Sequence, residues 1–117
     1  MTYLETDFFM DQLAQLSNKY SKVFNDYEDF KKSFNHIFST SLWNDNYKQR
    51  VKNSSIPTWK RWGFRIIVKI IWDKIIPFLI YAKTMKENVT DEEIIDAFEF
   101  VLKDINAKRF TLSDTKK

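Results

Sequence analysis

Between Asn46 and Lys86 the chain carries ten basic residues and one acid, Asp73, a local charge of +9 in a protein whose net charge is +3. The flanking segments, 1–45 and 87–117, each carry −3. A field concentrated this way attracts a polyanion better than the overall balance suggests. Lys48, Arg50 and Lys52 alternate with Tyr47, Gln49 and Val51, so on a strand they share one face, either a phosphate track or a solvated basic surface. Downstream, N-S-S-I-P-T-W-K-R-W-G-F-R sets Trp59, Lys60, Arg61 and Trp62 beside the only glycine, Gly63. Lys60 and Arg61 either contact phosphate or are simply solvated loop charges. A tryptophan beside them can stack an unpaired base, cover apolar surface or pack beneath a partner. Binding through such a surface weakens steeply as salt rises.

Other chemistry is closed off by composition. With no cysteine, disulfides and thiolate metal sites are excluded, and a reducing compartment fits. The one histidine, His36, cannot form a triad or a His-rich metal site by itself, and its place off the neighbouring aromatic stripe reads as solvated surface. No signal peptide is visible, because Asp7, Asp11 and other polar residues interrupt the N-terminus. The apolar run from Ile66 to Ala82 contains Lys69, Asp73 and Lys74, each expensive in a bilayer, so no membrane span is expected.

The elements that must position these residues follow from periodicity. T-Y-L-E-T reads as a short strand, after which Phe9, Leu13, Leu16 and Tyr20 mark one face of a helix. Val23, Tyr27, Phe30, Phe34, Ile37 and Phe38 continue a helical stripe, giving two helices as an antiparallel hairpin or one long bent helix. Ser39 to Asn46 reads as a connection, and Tyr47 to Lys52 as a strand. The β-branched run after Gly63 and the run I-I-P-F-L-I-Y-A form a hairpin turning at Asp73 and Lys74, with Pro77 at an edge, a bulge or an irregularity. Thr90 and Glu93 match a capping box for a last helix that buries Ile94, Phe98, Val101 and Ile105. The expected architecture is one α+β domain over residues 1–110, with a polar tail at 111–117. It is a small antiparallel sheet of one short N-terminal and three C-terminal strands, with an N-terminal helical hairpin and a C-terminal helix packed on one side.

V-K-N-S-S-I-P-T-W-K-R-W-G-F-R-I-I-V, followed by I-I-P-F-L-I-Y-A-K-T-M-K-E-N-V-T-D-E-E-I, resembles the RelE/ParE superfamily of toxins from bacterial type II toxin–antitoxin modules, closest to its HigB-like, RelE-type branch. The specific part spans Lys48 to about Ile95, while the N-terminal helices match in pattern and order only. The resemblance implies a compact cytoplasmic protein held by a cognate antitoxin. It also implies cleavage of mRNA on the ribosome without metal or cofactor; ParE-type members instead inhibit DNA gyrase. A third alternative is a non-catalytic RNA- or ribosome-binding domain. The acidic final helix and the basic hairpin each offer an antitoxin a docking face. In one respect the chain departs from the family: its loop is usually rich in glycine, and here Trp59 and Trp62 stand where small residues are usual.

Metal-free RNA cleavage uses the ribose 2′-hydroxyl as nucleophile, so the protein must take its proton, stabilise the phosphoryl oxygens and protonate the leaving 5′ oxygen. A lysine, with a reference pKa of about 10.4, becomes a usable base where neighbouring cations disfavour its charge. By the resemblance, Arg65 of G-F-R stabilises the transition state, and Lys83 and Lys86 are candidates for acid–base work. Glu87 is a base or holds one of those lysines, or K-E-N simply begins the connection to the helix. Tyr81 stacks or hydrogen-bonds at the site, or belongs to the core.

Overall fold

Thr6 ends the first strand and starts the first helix: extended itself, it accepts a hydrogen bond from the Phe9 amide on its hydroxyl, 3.3 Å away. The computed structural model describes residues 1–57 and 59–114. Its order is β1 (Thr2–Thr6), α1 (Asp7–Ser17), α2 (Val23–Ser33), a 3₁₀ turn (His36–Phe38), β2 (Thr40–Ser41), β3 (Asn46–Val51), a second 3₁₀ turn (Lys60–Trp62), β4 (Phe64–Ile71), β5 (Lys74–Ala82), α3 (Asp91–Asn106) and β6 (Phe110–Asp114). The class is α+β, as expected, and the two N-terminal helices are separate. No helix of the described residues is long and apolar enough to cross a membrane; the run from Ile66 to Ala82 is the β4–β5 hairpin.

The sheet differs from the expected small antiparallel one. Six strands run in the order β2-β3-β4-β5-β1-β6, and β1 lies parallel to β5 through Thr2↔Lys74 and Tyr3↔Ile75. Residues 111–114, expected in a polar tail, belong to β6, which pairs along the whole of β1 from Thr2↔Asp114 to Thr6↔Phe110; residues 115–117 of that tail lie outside the described residues. Nor do the helices share one side. Ile66 and Val68 join Phe9, Leu13, Tyr27 and Phe30 of α1 and α2 in one core, while Ile67, Ile76 and Phe78 join Ile94, Ala97 and Val101 of α3 in another. Neighbouring strand residues point to opposite faces, so the central strands are covered on both. That is why β4 shows almost no polar alternation.

The hairpin turns one residue earlier than expected: Ile71 pairs with Lys74, leaving Trp72 and Asp73 in the turn. Trp72 takes a φ of 56°, uncommon for a bulky side chain. Pro77 sits at a register shift where Ile67 pairs with Leu79 but Val68 with Pro77, so Phe78 is the extra residue of a bulge. β1 has already parted from β5 there, and α1 completes the edge. Gln12 donates to the Phe78 carbonyl at 2.9 Å and accepts from the Ile80 amide at 3.1 Å.

α2 stops at Ser33, before the apolar stripe does. The Asn35 side chain accepts from the Ile37 amide at 3.0 Å, an alternative to helical bonding. Ile37 and Phe38 therefore leave the helix and stand in solvent, 71% and 82% exposed. A buried polar cluster that periodicity does not reveal ties β1, α2 and β6. Glu5 accepts from the Tyr27 hydroxyl at 2.5 Å, the Lys31 ammonium at 3.1 Å and the Ser113 hydroxyl at 3.0 Å. Burial first, then the Glu5 charge, pushes the Tyr27 phenol far above its ordinary range.

Candidate nucleic-acid groove

A single row crosses three strands: Arg50 of β3 faces Arg65 of β4, and Arg65 faces Tyr81 of β5. Lys48 stands two residues from Arg50 and opposite Ile67, so this is the face that α3 covers further along. Phe38, Thr40, Lys48, Arg50, Arg65 and Lys83 line an open groove of about 390 Å³. None of its lining residues is acidic.

Gly63 sets how closely the walls approach. A Cβ there would lie 2.2 Å from the Val51 carbonyl oxygen and 3.1 Å from the Asn53 amide nitrogen, so no side chain fits between β3 and the start of β4. Its amide donates to the Lys60 carbonyl at 3.0 Å, closing the second 3₁₀ turn. Its carbonyl accepts from the Lys83 amide at 2.9 Å, joining the strand ends. Before the turn, the Ser54 amide donates to the buried Asp26 carboxylate at 2.9 Å, fastening the loop to α2.

Arg65 lies in the groove wall and is only 6% exposed. Its guanidinium donates to the carbonyls of Lys60 at 3.1 Å, Phe64 at 3.2 Å and Arg61 at 2.8 Å. Those three bonds leave two of a guanidinium's five donors for a ligand. Arg65 therefore holds the Lys60–Trp62 turn in place as well as facing the groove. Burial and then Arg50 lower its pKa, against the opposing influence of Tyr81, but an arginine keeps its proton. Tyr81 is itself buried, and burial raises its phenol.

Lys83 reaches the groove, and its ammonium donates to the Glu87 backbone carbonyl. The Lys86 ammonium pairs with Glu93, whose carboxylate also accepts from the Thr90 amide in the capping box of α3. Lys86 and Glu87 are both exposed, and neither lines the groove. The basic track of β3 also divides. Lys48 and Arg50 face the groove, whereas Lys52 and Lys60 line a smaller cleft with Asp26 and Asp29, which Arg50 also borders. Trp59 is 78% exposed and borders a third recess with Lys52, Ile56 and Pro57. Trp62 is 45% exposed with the Arg61 guanidinium 5.5 Å from its ring centre. The aromatic residue that lines the basic groove is instead Phe38.

This crowd of cations acts on Lys48. Burial first, then Lys83, Arg65 and Arg50, hold its ammonium below the ordinary lysine value. Sequence spacing cast it as a phosphate contact; its surroundings also make it easier to deprotonate. The groove thus offers fixed cations for phosphate oxygens and one lysine with a lowered proton affinity. No acidic cluster or histidine group that could hold a metal ion occurs among the described residues.

The sequence signal for Phe38 was faint. An asparagine two residues before Ile37 marks a local cap, but the apolar spacing that continues through it reads as helix. Compared with protein-family models, with curated proteins and with solved structures, the chain finds no match.

Proposed function

We propose that the protein is the toxin of a type II toxin–antitoxin pair, of the RelE/ParE kind its sequence resembles, and that it inhibits translation by cutting mRNA on the ribosome. The observation that carries this reading is the convergence of Lys48, Arg50, Arg65 and Lys83 around a groove with no acidic lining residue. In this mechanism Lys48 takes the proton of the ribose 2′-hydroxyl, and the 2′ oxygen attacks the adjacent phosphorus. Arg50 and the free donors of Arg65 hold the phosphoryl oxygens as charge gathers there. The bond to the 5′ oxygen breaks, Lys83 protonates that oxygen, and the products are a 2′,3′-cyclic phosphate and a 5′-hydroxyl. A cognate antitoxin that keeps the cell safe must keep mRNA out of this groove.

The commitment of Arg65 to three backbone carbonyls favours a second reading, a domain that binds RNA or the ribosome without cutting. Controlled expression of the wild type and of Lys48→Ala, with transcript ends mapped by primer extension, separates the two. Cuts within translated mRNA that disappear in the variant support cleavage. Arrest with intact transcripts overturns it, and DNA breaks under those conditions indicate gyrase inhibition instead. Salt-sensitive ribosome binding without cuts supports the second reading.

A further inference from the structure

Phe38 is an unusual residue to leave in water, because its backbone is firmly held while the residue is 82% exposed. The 3₁₀ turn that carries it is fixed at both ends. Asn35 bonds the amides of Ile37 and Phe38, through its side chain and its carbonyl, each at 3.0 Å. The Ser39 amide and hydroxyl both donate to the His36 carbonyl, at 3.2 and 2.8 Å. The His36 ring packs edge-on against Tyr47, with centres 5.4 Å apart, and Thr40 then pairs with Lys48 itself. Among the described residues no aromatic ring stacks on Phe38.

What surrounds the ring decides what suits it. Phe38 lines the groove whose charged walls are Lys48, Arg50, Arg65 and Lys83, so an apolar partner that comes with negative charge fits, and an apolar protein segment alone does not use the field. An unpaired nucleobase meets both conditions. Its phosphates lie along the cations and its flat face covers an aromatic ring, the arrangement by which proteins hold single strands. Within a duplex the base faces are stacked on one another and inaccessible to such a ring.

Resting on the groove's proposed role as the RNA site, we infer that Phe38 is a stacking platform that takes one unpaired base of the bound strand and thereby selects single-stranded over double-stranded nucleic acid. Phe38 positions the strand and takes no part in proton transfer. The test uses a short fluorescent oligoadenylate, 2′-O-methylated so that it cannot be cut, an abasic strand of the same length, and the corresponding duplex, all at low salt. The wild type binds the oligoadenylate about 5- to 150-fold more tightly than the abasic strand, the range expected for one stacked base. Phe38→Ala erases that difference while leaving abasic binding unchanged, and Phe38→Trp preserves it. Equal wild-type affinity for the two strands, or for single strand and duplex, overturns the inference and leaves the groove reading standing. So does equal weakening of both strands by Phe38→Ala, which marks the ring as structural. No wild-type binding of either strand defeats the groove reading, and the inference with it.

Discussion

Replacing Gly63 by alanine tests whether the groove depends on the close approach of β3 and β4. Gly63 combines a φ of −82° with a ψ of −144°, outside the extended and helical regions open to alanine, so the stabilisation that a Gly→Ala substitution brings at a compatible position does not apply. The new methyl also lies 2.2 Å from the Val51 carbonyl oxygen, which belongs to a paired strand and cannot swing away as a side-chain tip would. Overpacking of this kind costs about 1–3 kcal/mol, and an obstruction formed by backbone points to the upper end. The substitution therefore costs about 2–3 kcal/mol, a fall in melting temperature of roughly 6–18 °C for a domain near this size. The same shift pulls on the Lys83 amide and the Lys60 carbonyl, both bonded to Gly63, so affinity for a single strand falls with it. Thermal unfolding followed by circular dichroism, with strand binding measured on the same samples, reads both effects. A variant that melts at or above the wild-type temperature and binds the strand unchanged refutes the reasoning.

Lys48 should contribute a pH dependence of its own. Because its pKa in the fold lies below the ordinary 10.5, its charged form opposes folding at neutral pH, and this penalty fades as pH rises toward 10.5. Lys48→Gln is therefore expected to raise the neutral-pH melting temperature, by a margin that narrows on the alkaline side. If Lys48 is the base, wild-type cleavage rises with pH until that lysine has lost its proton, while Lys48→Arg still binds the strand and cuts at no pH tested. Arg65→Ala removes the guanidinium from three carbonyls, of which Lys60 keeps the Gly63 amide, and is expected to cost about 1–3 kcal/mol. Limited trypsin digestion should then cut after Lys60 and Arg61 faster than in the wild type, and an unchanged digestion rate argues against Arg65 as the holder of this turn. Ending the chain after Phe110 strips β1 of its outer partner and Glu5 of the Ser113 hydroxyl, so a marked drop in urea midpoint is expected. A truncated chain as stable as the full one would mean that β6 adds nothing.

Features set by neighbours along the chain are legible in the sequence. The Thr90–Glu93 capping box forms with both of its bonds, because it needs only residues three apart. The faces led by Phe9 and Leu13, by Tyr27 and Phe30, and by Ile94 and Val101 are buried, since a helical period names its own inner side. Pro77 found its bulge because a residue without an amide proton has few other places in a sheet. The concentration of charge in the middle third likewise reads straight from composition.

Tertiary structure decided what depends on distant partners. Strand periodicity carries no direction, so nothing local distinguishes β1 parallel to β5 from an antiparallel neighbour, and nothing in T-L-S-D announces a strand until β1 provides its edge. A run apolar on both faces does not say that α1 and α2 cover one side and α3 the other. At the groove the effect is sharpest. Strand register, not spacing, placed Arg50 against Arg65 and brought Lys83 to Lys48 while Lys86 paired with Glu93. Phe38 left the core because one asparagine bond outcompeted a helical turn, a balance of about 1 kcal/mol that an apolar stripe cannot report. The sequence by itself determined which residue types were present and where their charge was concentrated. Which of them face each other across a groove was decided by long-range pairing, whose partners lie too far apart along the chain for any local pattern to encode.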